Sequence, residues 1–281
     1  MIEILRYEFV RNALFAGMLS SIACGIIGSI VVSKRIVSIC GGIAHASFGG
    51  VGLGYLLRIN PSWGALLFGV LASLGIGGIS KKTKHPEDTS IAILWAVGMS
   101  LGIFFVGLSK GYAPDLFTYL FGNILAVSRG DLFSIILLDV MIGAGVFLFY
   151  KEILALCFDE EFTRVRGIGV FSLYLFMLVL VSLTVVVIMK IVGIVLVIAL
   201  LSVPAAISSK FTHTLKAMMA GSIILSMSFI VGGLAISYFL DLPSGATIIL
   251  ISAGAFLVAE LLRRFVRGGI GPENGTSAPI R

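Results

Sequence analysis

The sequence predicts an all-α polytopic membrane protein with about nine transmembrane helices, or eight if its shortest junction does not turn. Hydrophobic residues make up 58% of the chain and charged residues 12%, with a mean hydropathy of +1.12, whereas soluble domains carry roughly 25% charged residues. The apolar residues come in runs of about 20, the length a helix needs to cross ~30 Å of hydrocarbon. Basic residues stand in twos and threes between those runs rather than as one patch interleaved with aromatics. The formal charge of +6 therefore reads as topology signal, and no nucleic-acid partner is expected.

The runs lie at about 9–33, 36–57, 62–80, 89–109, 131–150, 170–189, 191–209, 217–240 and 245–265. The first follows MIEILRYEFVRN, which mixes acids with bases, and is too long for a cleavable signal peptide, so it reads as a retained span. The second belongs to KRIVSICGGIAHASFGGVGLGYLL at 34–57. It carries His45 in apolar surroundings, and Gly42, Ala46, Gly50 and Gly54 recur at every fourth residue, a stripe that admits another helix backbone. Gly41 and Gly49 lie one turn to either side of His45 on the same face.

The third and fourth runs flank KKTKHPEDTS, a loop in which His85 reads as a solvated side chain. Met99, Phe104, Phe105 and Met227 read as ordinary span packing or lipid contact. Residues 112–130, YAPDLFTYLFGNILAVSRG, are interrupted by Pro114, Gly122 and Asn123. They are too short to cross and too apolar for a solvated loop, so a short helix or re-entrant element is expected, tolerated at that depth only where protein or water surrounds it. The fifth run holds Asp139 near its middle without an obvious partner, either a pathway residue or an acceptor for an interhelical hydrogen bond.

Segment 151–170, KEILALCFDEEFTRVRGIGV, places Asp159, Glu160 and Glu161 before Arg164 and Arg166, as the helix dipole favours. Phe158, Phe162 and Val165 fall at i, i+4 and i+7 on one apolar face, and Gly167 and Gly169 stop the helix. Such an amphipathic helix binds either lipid headgroups or a partner protein. The sixth and seventh runs are separated only by Met189 and Lys190, the weakest junction in the chain. Pro204 in the seventh removes a backbone hydrogen bond and kinks or breaks it. His213, in SSKFTHTLK, reads as solvated, and Glu260 as the partner of Arg263 or Arg264. Residues 268–281 read as a disordered polar tail after a single transmembrane domain at 1–267. The sequon Asn274-Gly275-Thr276 falls on the cytoplasmic side of this topology and is discarded.

Alternating the nine runs puts 14 Lys and Arg on one side and 6 on the other, so the N-terminus is expected outside and the C-terminus in the cytoplasm. Cys24, Cys40 and Cys157 show no paired spacing and read as small core residues. No GxxxxGK[ST] loop or HExxH motif occurs, so the chain is not expected to hydrolyse ATP or act as an enzyme, and no cofactor is expected. His45 remains the sharpest candidate. An intramembrane imidazole either meets a polar or ionic solute, as a neutral metal ligand, or hydrogen-bonds a neighbouring helix.

Five stretches in order resemble the permease subunits of the zinc/manganese-type metal ABC importers: KRIVSICGGIAHASFGGVGLG at 34–54, PDLFTYLFGNILAVSRGDL at 114–132, FDEEFTRVRGIG at 158–169, KIVGIVLVIALLSVPAAIS at 190–208 and GGLAISYFLDLPSGATIIL at 232–250. The resemblance implies an importer permease of the metal/cobalamin-like type: a dimer of permeases enclosing a metal path, driven by cytoplasmic ABC ATPase subunits and fed by an extracytoplasmic metal-binding protein. It implies that 158–169 is the segment docking on the ATPase, with Asp159, Glu160, Phe162, Arg164 and Gly167 in it. It also implies that His45 meets the metal, with Gly41, Gly42, Gly49, Gly50, Gly54 and Pro204 packing around the path. In the family an acid usually stands one turn before the histidine; here that position is Gly41, and Asp139 is one candidate to replace it. An ABC permease for a metal chelate, such as a siderophore or cobalamin, and a stand-alone ion-coupled transporter are the competing classes.

Overall fold

The computed structural model describes residues 7–82, 87–109, 119–120 and 122–268. Its described helices include α1 (Glu8–Lys34), α2 (Val37–Leu57), α3 (Pro61–Lys82), α4 (Glu87–Leu108), α5 (Arg129–Leu148), α6 (Tyr150–Phe158), α7 (Glu160–Val165), α8 (Val170–Val192), α9 (Ile194–Ser208), α10 (Leu215–Leu240) and α11 (Ser244–Gly268), with a 3-10 turn at Ile124–Ala126. Every expected apolar run is a helix with ends within three residues of the expected ones, because in hydrocarbon a backbone must satisfy its own hydrogen bonds.

Among the described residues eight helices are long and apolar enough to cross a membrane, and α9, at 15 residues, is not. At 1.5 Å per residue α9 measures about 22 Å, short of the ~30 Å hydrocarbon layer. The expected turn at Met189-Lys190 is displaced. Helix α8 runs through Lys190 to Val192, and the break falls at Gly193, with φ 85° and ψ 161°. Lys190 stays in the last turn of α8 because its amine meets Asp131 Oδ1 at 2.6 Å. Gly193 breaks the helix because that backbone region is open essentially to glycine alone. Pro204 lies inside α9, which continues through it unbroken.

The bundle has two ends, each marked by ion pairs. At one, Arg129 binds Glu8 and Lys190 binds Asp131; at the other, Lys34 meets Glu160 and Lys210 meets Glu260. Helices α1 and α10 lie antiparallel, Gly17 against Ile230, Gly25 against Ile223 and Ser29 Oγ 3.1 Å from Ser222 Oγ. Helix α9 packs beside them, its Leu201 carbonyl on Gly28 and Ser208 Oγ donating to the Met218 carbonyl.

Helix α2 is held between α3 and α4 by backbone contact. Gly50 and Gly64 each lie where a Cβ on the other would strike a carbonyl, and Gly98 sits against the Ala46 backbone. The expected small-residue stripe thus faces two helices at once. Gly42 abuts Ile91, Gly49 the Gly98 carbonyl and Phe68, and Gly54 Pro61. Of segment 112–130, residues 112–118 and 121 fall outside the described residues. From Gly122 (φ 71°) the chain tucks its backbone against Val192 and Gly193 and buries Ile124 and Val127. Lys84, His85, Pro114, residues 269–281 and the sequon lie outside the described residues as well.

Candidate functional site

His45 sits mid-way along α2, only 8% exposed, in a sheath of glycine-lined contacts with α3 and α4. Its imidazole lies flat on the indole of Trp95 from α4, ring centroids 4.1 Å apart and planes 13° from parallel. Its Nδ1 is fully enclosed and has no hydrogen-bond partner. The reading of His45 as a hydrogen bond to a neighbouring helix therefore has no counterpart among the described residues. With Nδ1 enclosed, Nε2 is the nitrogen of a neutral imidazole that can offer its lone pair to a solute.

Gly41 behaves unlike the other glycines of the stripe. A Cβ there would meet only Ile198 Cδ1 and Trp95 Cζ3, both at 3.8 Å, which is ordinary contact. Space for a side chain is left between α2, α4 and α9, one turn from His45. Asp139 does not enter it. Its buried carboxylate lies beside Ala23 and Cys24 of α1, on a helix packed against α1 and α8. Within one chain the structure thus does not bring Asp139 to His45, and no cluster of three His, Cys, Asp or Glu side chains occurs among the described residues. Cys24 and Cys40 are buried free thiols, as their spacing implied.

At the Lys34 end, 150–165 folds as two short helices rather than one. The chain turns at Asp159, whose carboxylate accepts from the Phe162 N–H at 2.9 Å and caps α7. Thr163 is buried and donates to the Asp159 carbonyl at 2.7 Å. Glu160 and Glu161 lie in the first turn and Arg164 in the last. Arg166 lies over the Phe162 ring, 4.7 Å from its centroid. Gly167, at φ 76°, closes the helix by donating to the Arg164 carbonyl. Gly169 opens α8 instead of ending α7. The expected apolar face points outward, with Phe158 72% and Val165 88% exposed. Lys34, nearly buried, donates to the Leu156 carbonyl at 3.0 Å and meets Glu160 at 3.4 Å, tying α1 to this knuckle. Burial pushes the neighbouring Cys157 thiol up to about 11, partly offset by Lys34.

Two contacts were beyond reach of local sequence. Trp95 lies 50 residues from His45, in a run whose aromatics read as ordinary span packing or lipid contact. Glu260 pairs with Lys210 as well as with Arg264, the latter at 3.6 Å.

The model of the ABC 3 transport family matches residues 6–263, nearly all of this bundle. The chain belongs to the ABC 3 transport family. Among the relatives of this ABC 3 protein, an uncharacterized membrane protein of Synechocystis is 46% identical over 264 residues, covering 94% of both chains. The manganese transport system membrane protein MntC of Listeria monocytogenes is 33% identical, covering 92% of both. The solved structure of PsaBC from Streptococcus pneumoniae in complex with Fab superposes with a TM-score of 0.83 at 31% identity, over 92% of this chain and 95% of that one. The expected family and its all-helical permease fold are thus borne out.

Proposed function

We propose that this ABC 3 protein is the membrane-spanning subunit of an ATP-driven importer of a transition-metal ion, zinc, manganese or iron, moving it by alternating access. The observation that carries the reading is His45: an imidazole buried at mid-helix in a membrane bundle, its enclosed Nδ1 without a hydrogen-bond partner among the described residues. Such a group is costly in hydrocarbon unless something polar passes it. Family membership and the manganese-transporting relative from Listeria support the choice of cargo.

In this reading residues 1–267 form one permease domain, and two such permeases enclose the path. His45 is a transient ligand, and the space at Gly41 leaves the ion one hard ligand fewer, which favours borderline ions over manganese. ATP hydrolysis belongs to separate cytoplasmic subunits, since the sequence has no GxxxxGK[ST] loop. The Lys34–Glu160 end faces the cytoplasm, where the Phe158–Phe162–Val165 face docks on the ATPase, and the N-terminus faces outward, where a metal-binding protein delivers the ion. Cells bearing His45→Ala should lose uptake of labelled zinc and manganese while keeping the protein at its normal level in the membrane. Uptake equal to that of the unaltered protein would overturn the role of His45. Transport of chelated but not free metal would assign the chain to the chelate class instead.

A further inference from the structure

We propose that Trp95 is a positioning residue for the translocated ion, holding the His45 ring by its face and favouring the ion-loaded imidazole over the empty one. The inference rests on the metal-import reading.

A histidine that binds a metal through one ring nitrogen ordinarily fixes its orientation by donating from the other to a carboxylate, carbonyl or water. His45 has no such bond. Its Nδ1 is enclosed and has no hydrogen-bond partner among the described residues. The ring is nonetheless not free to turn, because one face lies on the Trp95 indole with centroids 4.1 Å apart and planes within 13°. Stacking occupies the ring face and leaves Nε2, the nitrogen that is not enclosed, at the ring edge, while removing rotation about the Cβ–Cγ bond. The indole takes the place of the missing hydrogen bond.

The stack also has a preferred charge state. The face of an indole carries the negative part of its quadrupole, and Trp is the strongest of the aromatic partners for a cation. When His45 takes a divalent ion, its ring becomes electron-poor and gains attraction to that face. The empty neutral ring gains less. Trp95 therefore contributes to affinity without touching the ion.

Its own surroundings fit this role better than simple packing. Trp95 is 44% exposed, so its outer side is not wedged into the core. It meets the His45 ring and borders the open space at Gly41, where a Cβ would lie 3.8 Å from its Cζ3.

The test uses the full-length chain, which has two tryptophans. In a Trp63→Phe background Trp95 is the sole emitter, and Co²⁺ bound at His45 should quench it saturably. The same titration on Trp63→Phe with His45→Ala should leave only the weak, linear quenching of ions colliding from solution. In cells, Trp95→Leu should raise KM for labelled zinc or manganese by about tenfold, as loss of an orienting group does at metal sites, with maximal uptake and membrane level little changed. Trp95→Phe, which keeps an aromatic face, should recover most of that loss. A KM unchanged in Trp95→Leu while His45→Ala abolishes uptake would overturn the positioning role and leave the import reading intact. An equal loss in Trp95→Leu and Trp95→Phe, or saturable quenching that survives His45→Ala, would also overturn it. Uptake unaffected by His45→Ala would sink both readings.

Discussion

Replacing Gly50 by alanine measures how far the position of His45 depends on backbone contact, and the structure supplies its own control on the same helix. A Cβ at Gly50 would fall on the Gly64 carbonyl of α3, and a Cβ at Gly64 on the Gly50 carbonyl. Both obstacles are backbone, so no rotamer change relieves them and the helices must part. At Gly41 the same added carbon meets Ile198 and Trp95 side-chain atoms at 3.8 Å and displaces nothing. Alanine in a helix interior gains about 0.5–1 kcal/mol over glycine from chain entropy. Overpacking costs about 1–3 kcal/mol, more where backbone must move. Gly50→Ala is therefore expected to lose about 2 kcal/mol or more, and Gly41→Ala to gain up to about 0.5 kcal/mol. At roughly 2–4 °C per kcal/mol for a chain of this length, Gly50→Ala should melt about 5 °C lower in detergent, and Gly41→Ala at or above the native midpoint. Thermal unfolding followed by loss of the monodisperse chromatographic peak reads both. A native-like midpoint for Gly50→Ala, or an equal loss for Gly41→Ala, would refute the packing derived for α2.

Asp159→Ala removes the acceptor for the Phe162 N–H at 2.9 Å, a cap worth about 1 kcal/mol; amide exchange across 160–166 should quicken while global melting stays put, and unchanged exchange would show the cap to be idle. Lys34→Met removes the 3.0 Å bond to the Leu156 carbonyl and the ion pair to the half-exposed Glu160. With Glu160 screened by solvent, the loss should be near 1 kcal/mol, and transport should fall relative to ATP hydrolysis in the assembled importer; a native ratio would refute the tie. Gly193→Ala forces a side chain into φ 85°, ψ 161°, at about 1–3 kcal/mol. The folded yield should drop in membrane extracts, and a native yield would show the α8–α9 break to be tolerant.

Much of the fold was legible because each span must satisfy its own backbone, so apolar length alone located the helices. The stripe through Gly42, Gly50 and Gly54 announced a close neighbour but not how many, and Gly98 and Gly102 of α4 and Gly64 of α3 turned out to be the matching surfaces. Lys190 misled because an isolated charge between apolar runs looks like a loop. Its pairing with Asp131, 59 residues away, lets it stay helical, and the φ-permissive Gly193 three residues on was the better signal. Glu260 showed the same limit: local spacing finds Arg264 but not Lys210. In the site, His45 stood out because ionisable residues are rare in hydrocarbon, whereas an aromatic such as Trp95 in an apolar run carries no mark of its partner. The register of α4 on α2, set by backbone contacts, decides which ring the imidazole meets.

The short link between α1 and α2 joins the two halves of the candidate mechanism. Lys34 ends α1, Arg35 turns the chain in the left-handed region at φ 61°, and α2 begins at Val37. Bonds from Arg35 N–H to the Val32 carbonyl and from Ile36 N–H to the Val31 carbonyl close that turn, leaving it no slack. The residue that grips the α6–α7 knuckle is thus three positions from the helix that carries His45. A displacement of the knuckle that pulls on Lys34 acts on α2 through a closed turn rather than a loop. Helix α2 cannot slide freely in response, because Gly50 and Gly52 lock its backbone against Gly64 and Gly102. Force applied at Lys34 must therefore move α2 with α3 and α4 as one body, carrying His45 and Trp95 together. The stack would survive such a movement while its distance to α9 changed, which is the behaviour required of a ligand that holds its ion in one state and releases it in another.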